Sequence, residues 1–143
     1  MKDITNESIN EWDNDKYPIS ITKAASKKEG YVIYRITGKN FQGVEVDVYR
    51  RYNEFYMLRK TLVRRMTGFY IPPIPQKKAL GNKDSSFVKK RWYVLNRFVH
   101  GLCEIEYLWA SKELTFFLDA EMQVEQTLAP LPTPSDYEKA VKC

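Results

Sequence analysis

The period of the apolar residues changes abruptly at one point in this chain, and that change constrains the fold more than any other feature. Up to Arg50, Val44, Val46 and Val48 alternate with Glu45, Asp47 and Tyr49, the period of two expected of a strand with one buried face. Beyond Tyr52, Phe55, Leu58, Leu62 and Met66 recur at spacings of three and four, the mark of an amphipathic helix. A strand therefore runs straight into a helix at Arg50-Arg51-Tyr52, and the elements on either side must pack around that joint.

Two further strands precede it. Ile19 to Thr22 reads as one, and Tyr31 to Thr37 (YVIYRIT), rich in aromatic and β-branched residues, as another. The turn residues Lys27 to Gly30 and Gly38 to Gly43 join the three into an antiparallel meander. After the first helix, closed by Gly68, the run Ile71-Pro72-Pro73-Ile74-Pro75 cannot be helical, since proline lacks the N–H and restrains its predecessor, and it reads as polyproline II. A second helix starts near Asp84, Ser85 and Ser86 and presents Phe87, Val94, Leu95, Phe98 and Leu102 on one face, and a further helical stretch covers 111–121. The expected fold is thus α+β, a three-stranded antiparallel meander packed against a helical subdomain, with a polyproline loop between the first and second helices. Residues 1–16, polar and acidic around Trp12, read as an N-terminal extension, 17–121 as the domain, and 122–143, with prolines at 130, 132 and 134, as an extended tail or linker.

Charge and chemistry narrow the function. Between Arg50 and Arg97 stand thirteen Lys/Arg against only Glu54 and Asp84, a local net of +11 that leaves −6 for the rest of a +5 chain. Such a concentration favours phosphate-bearing partners, nucleic acid or anionic membrane. Catalysis finds no footing: there is no glycine-rich phosphate loop or HExxH, and the single histidine, His100, reads as a partly exposed helical residue. Two cysteines, Cys103 and the last residue Cys143, build neither a disulfide framework nor a zinc site, and no metal or cofactor is expected. The N-terminus has no basic start or apolar run, which points to a cytosolic setting.

What remains is basic and aromatic residues at three junctions: RRYNEF from Arg50, IPPIPQKK from Ile71, and FVKKRWYVLNRFV from Phe87. In this order the three resemble the RRYSDF, PPxPxK and FxxxRxxxLxxF motifs of the phox-homology (PX) domain of sorting nexins and related trafficking proteins, over about residues 17 to 121. The resemblance implies a non-catalytic phosphoinositide-binding module, most often selective for phosphatidylinositol 3-phosphate, on endosomal or vacuolar membranes. It implies that Arg51 holds the 3-phosphate, Tyr52 stacks under the inositol ring, Lys77 binds the 1-phosphate and Arg91 bonds the 4- and 5-hydroxyls. The loop between the proline segment and the second helix is short, KKALGNK, with Leu80 its one sizeable apolar group. Membrane contact is then expected to lean on Lys78, Lys83, Lys89 and Lys90 beside Leu80. The chain ends soon after the domain, as a stand-alone module or a fragment would, and the extensions are possible partner sites. The alternative is a protein-interaction scaffold of the same fold, using the proline segments and binding lipid weakly; nucleic acid is not expected, because no stacking platform of exposed aromatics is identifiable.

Overall fold

The computed structural model describes residues 1–77 and 84–133. Among these, strands β1 (Lys2–Ile4), β2 (Ile19–Ser26), β3 (Val32–Lys39) and β4 (Glu45–Arg51) form one antiparallel sheet in sequence order. Helices α1 (Tyr52–Arg65), α2 (Ser85–Glu104), α3 (Glu106–Trp109), α4 (Lys112–Phe117) and α5 (Val124–Leu128) complete the fold.

The meander is held in register by its valines and isoleucines. Ile36 lies opposite Val48 and, across the other ladder, opposite Ile21, so one face of three adjacent strands is a continuous apolar surface. Its turns are chemically specified. The Asn40 side chain accepts from the backbone N–H groups of Gln42 and Val44, and Gly43 takes the left-handed conformation that closes the hairpin. Gly38 is obligatory for a different reason: φ is +135°, and a Cβ there would stand 1.9 Å from the carbonyl oxygen of Pro18.

Helix α1 begins at Tyr52 with no intervening loop, and Phe55, Leu58 and Leu62 are wholly buried against the sheet. Each contributes roughly 1.5–3 kcal/mol by leaving water. Helix α2 opens where the sequence places its cap: the Asp84 carboxylate accepts from the N–H groups of Ser86 and Phe87. Trp92, Leu95, Phe98, Val99 and Leu102 then pack inward, and the Trp92 indole N–H donates to the Ile21 carbonyl at 2.9 Å. At Gly101 the proline segment passes so close that a Cβ would lie 2.9 Å from the Pro72 ring.

Several features depart from the sequence reading. The sheet has four strands, not three. Lys2–Ile4 pairs with the outer edge of β2, Lys2 opposite Ser26 and Ile4 opposite Ala24, and three residues with one isoleucine are too short to show any periodicity. The first predicted strand is correspondingly longer, since Lys23, Ala24, Ala25 and Ser26 continue β2 past an irregularity between Ile21 and Lys23. The residues after Met122 are not uniformly extended: Val124–Leu128 is helical and buries Val124 and Leu128 against α1 and α4. His100 is buried rather than partly exposed, its ring stacked on Tyr17 and its Nε2 2.8 Å from the Ser20 hydroxyl oxygen. Residues ahead of β2 also fold onto the body of the molecule, with Trp12 edge-on to Trp92 at 5.4 Å between ring centroids.

Candidate functional site

Consecutive residues of a strand point to opposite faces, so the adjacent arginines at the end of β4 meet different surroundings. Arg50 turns inward and is 5% exposed. Its Nε donates to the Phe117 carbonyl and its Nη2 to those of Asp119 and Met122, while Glu54 lies 3.4 Å from Nη1. Burial lowers its pKa from the ordinary arginine value, with Glu54 and Asp119 opposing that drop. It serves the chain reversal after α4 and is not available to a ligand. Arg51 turns the other way. Its guanidinium lies over the Tyr31 ring, 4.2 Å from the centroid, and makes no ion pair among the described residues. Glu54, three residues on, accepts the Arg51 backbone N–H at 2.9 Å, which fixes the entry into α1.

Tyr52 and Arg91 meet directly. Tyr52 stands at the first position of α1, buried, and its hydroxyl donates to the Pro75 carbonyl. Burial raises the pKa of that phenol, with Arg91 acting in the opposite direction. The Arg91 guanidinium sits 3.9 Å from the centroid of the Tyr52 ring and 4.6 Å from that of Phe87, clamped between two aromatic side chains. Its Nη2 donates to the Gln76 carbonyl at 3.2 Å, and it makes no ion pair among the described residues. Its Nε has no hydrogen-bond partner there either.

The proline segment brings Lys77 to the same place. Its carbonyls are taken up by side chains from three helices: Ile71 and Pro72 by Arg59, Tyr70 by Tyr107, Pro75 by Tyr52 and Gln76 by Arg91. Lys77 is exposed, with Nζ 4.0 Å from the Tyr56 ring centroid. Pro75, Gln76, Lys77, Phe87, Lys90 and Arg91 with Val94 surround an open pocket of about 340 Å³.

Tyr52, Lys77 and Arg91 of the predicted set are thus brought together, while Arg51 flanks them on the sheet side, held by Tyr31 rather than lining the pocket. Lys90 lines it and Lys89 is half-buried one residue earlier in α2. Lys78, Leu80 and Lys83 lie outside the described residues. Sequence reasoning missed the aromatic partners. Phe87 could have been found, because it lies four residues before Arg91 on α2, the spacing at which helical side chains touch, whereas Tyr56 meets Lys77 from another part of the chain. Tyr31 carries no comparable signal. No group of His, Cys, Asp and Glu among the described residues is placed to hold a metal ion, and no helix there is long and apolar enough to cross a membrane.

Comparison with known proteins identifies the family. The family model for the PX domain matches residues 38–121. Sorting nexin 1 of Arabidopsis thaliana is 32% identical over 112 residues, covering 72% of this chain and 28% of that protein. Sorting nexin-41 of Emericella nidulans is 37% identical over 137 residues, 87% of this chain and 21% of that protein. Among solved structures, a designed CISK-PX domain superposes with a TM-score of 0.63 at 30% identity, covering 71% of this chain and 98% of that one. The chain spans between a fifth and a third of the length of these curated relatives.

Proposed function

The chain belongs to the PX domain family, with sorting nexins among its relatives, and on that footing we propose that it is a phosphoinositide-binding module of membrane trafficking whose pocket prefers phosphatidylinositol 3-phosphate on endosomal or vacuolar membranes. The observation that carries this reading is Arg91. A guanidinium only 9% exposed that, among the described residues, faces no carboxylate and has one N–H unsatisfied is costly to keep unless an acceptor-rich ligand joins it. Ring hydroxyls next to phosphate are such a ligand, and the clamp of Tyr52 and Phe87 fixes the fork before the ligand arrives.

In this assignment Arg91 bonds the 4- and 5-hydroxyls of the inositol, Lys77 takes the 1-phosphate and Arg51 takes the 3-phosphate. Tyr52 holds Arg91 in place and borders the inositol ring. A polyol phosphate is captured and released, with no bond made or broken. Lys89 and Lys90 add general attraction of up to ~1 kcal/mol each near an anionic surface. Lys78, Leu80 and Lys83 join them on sequence grounds, Leu80 offering at most about 2 kcal/mol if it enters the bilayer. The protein is then peripheral to the membrane, since one shallow contact anchors little without the head-group site.

Co-sedimentation with vesicles carrying each phosphoinositide in turn tests the reading. Arg91→Ala and Arg51→Gln should each lose at least about tenfold in affinity for the preferred lipid, the scale of one charge-assisted hydrogen bond. Replacing Lys89 and Lys90 by Ala should weaken binding to all anionic vesicles, mainly at low salt. Folded Arg91→Ala and Arg51→Gln proteins that bind like the parent would overturn the assignment.

A further inference from the structure

A second groove lies along the same cleft, toward the C-terminal end of α2. It encloses about 700 Å³ and meets the pocket described above only at Val94. Pro72 and Pro73 of the proline segment, Trp12 and Gly101 of α2 are among the residues that line it. Aromatic rings line it: Tyr93 is edge-on to Trp12 at 5.5 Å, and Tyr70 is 64% exposed. Beside Tyr70, Phe69 rests against Tyr107 at 5.1 Å, so the aromatic surface continues beyond the groove.

Its charge runs against that of the molecule. The lining holds three carboxylates, Glu11, Asp13 and Glu104, against the single cation Arg97, while the chain as a whole is +5. His100 also faces it, and burial keeps that imidazole neutral, its pKa lowered to about 4. Glu104 accepts from the Tyr17 hydroxyl and Asp13 pairs with Lys16 at 3.1 Å. Arg97 donates to the Tyr93 hydroxyl, and Glu11 makes no ion pair among the described residues. A lining of net −2 repels a phosphate-rich ligand or membrane surface and attracts a cation.

We propose that this groove is a docking site for an extended peptide of a partner protein that carries arginine beside proline. Aromatic-walled grooves suit the polyproline conformation, which arrives with little entropy left to lose. Arginine stacks on tyrosine and tryptophan faces and pairs with the carboxylates at their edge. The site is separate from the head-group pocket, so peptide binding requires no lipid.

The test uses the full chain and a synthetic peptide of alternating arginine and proline, with a glutamate-for-arginine peptide as control, followed by amide and indole chemical shifts. The arginine peptide should give saturable shifts at the Trp12 indole N–H and the Gly101 amide, and the glutamate peptide none. Combining Glu11→Lys with Asp13→Asn should weaken peptide binding on the order of tenfold, the sum of two exposed ion pairs, with the melting temperature and vesicle binding retained. No saturable shift, shifts spread over acidic surface elsewhere, equal response to both peptides, or undiminished affinity in the double variant would overturn the proposal.

Discussion

Arg50 and Arg51 are chemically identical neighbours with opposite employment. Arg50 spends its donors on three main-chain carbonyls that no helix or strand satisfies, an arrangement that needs the planar fork and not merely a positive charge. Arg50→Met should therefore lower stability by about 2–4 kcal/mol, and Arg50→Lys should recover little of it. Urea unfolding measures this, and a loss under about 1 kcal/mol would show that water substitutes for the fork. His100 supplies a second prediction at this scale. Burial first, and Arg97 after it, lower its pKa from 6.5 to about 4, with Glu104 and Asp13 opposing. The unfolded chain then binds more protons than the folded one between those values, so the stability contributed by neutral His100 is complete above about pH 6.5 and is lost as pH falls toward 4. The full loss is at most about 3 kcal/mol. Thermal melts from pH 7 to 4.5 should show this slope in the parent and a shallower one in His100→Gln.

Among the elements, the proline segment is the one most dependent on its neighbours. It has no internal hydrogen bonds to hold its shape, and its carbonyls are gripped from α1, α2 and α3 instead. Arg59 grips Pro72 and Ile71 from a distance, touching neither Arg91 nor the pocket. Arg59→Met should therefore loosen the segment and weaken vesicle binding several-fold at a stability loss of only about 1–2 kcal/mol. Unchanged vesicle binding in that variant would mean that the segment keeps its place through Tyr52 and Arg91 alone. The same element marks how far the sequence could be read. β3, β4, α1 and α2 were legible because long apolar faces announce their period, and the proline run was legible as a non-helical connection because proline cannot continue a helix. β1 was not legible, since it draws its stability from backbone pairing to an edge that no side-chain pattern reports. α5 was hidden by its brevity and by the prolines after it. At the candidate site, the cations and Tyr52 were visible as motif residues and Phe87 by its helical spacing from Arg91, whereas the placement of Tyr31 against Arg51 depends on tertiary packing.

For the molecule as a whole, the basic middle third is less a single patch than a division of labour. Arg50 ties the end of β4 to the carbonyls after α4, Arg59 ties α1 to the proline segment, and Arg64 and Arg65 tie α1 to the residues after α5 and to the buried Glu113 of α4. Arg51, Lys77, Lys90 and Arg91 lie at or beside the pocket. Salt should therefore weaken vesicle binding while leaving Arg50, screened little because it is buried, to hold the fold.

The contact between Gly101 and Pro72 lets α2 and the proline segment act on each other like the jaws of a caliper. In an exposed helix, Gly→Ala gains about 1 kcal/mol. Here the added methyl would press on a rigid ring at 2.9 Å, and overpacking of that kind costs about 1–3 kcal/mol. Gly101→Ala should therefore be neutral to destabilising by thermal melt, and because Pro72 belongs to the same short segment as Gln76 and Lys77, it should also shift those two residues relative to Arg91. A substitution that removes no charge would then alter lipid affinity from the far end of the cleft. The single missing methyl at Gly101 is, in that sense, the gauge to which the pocket is set.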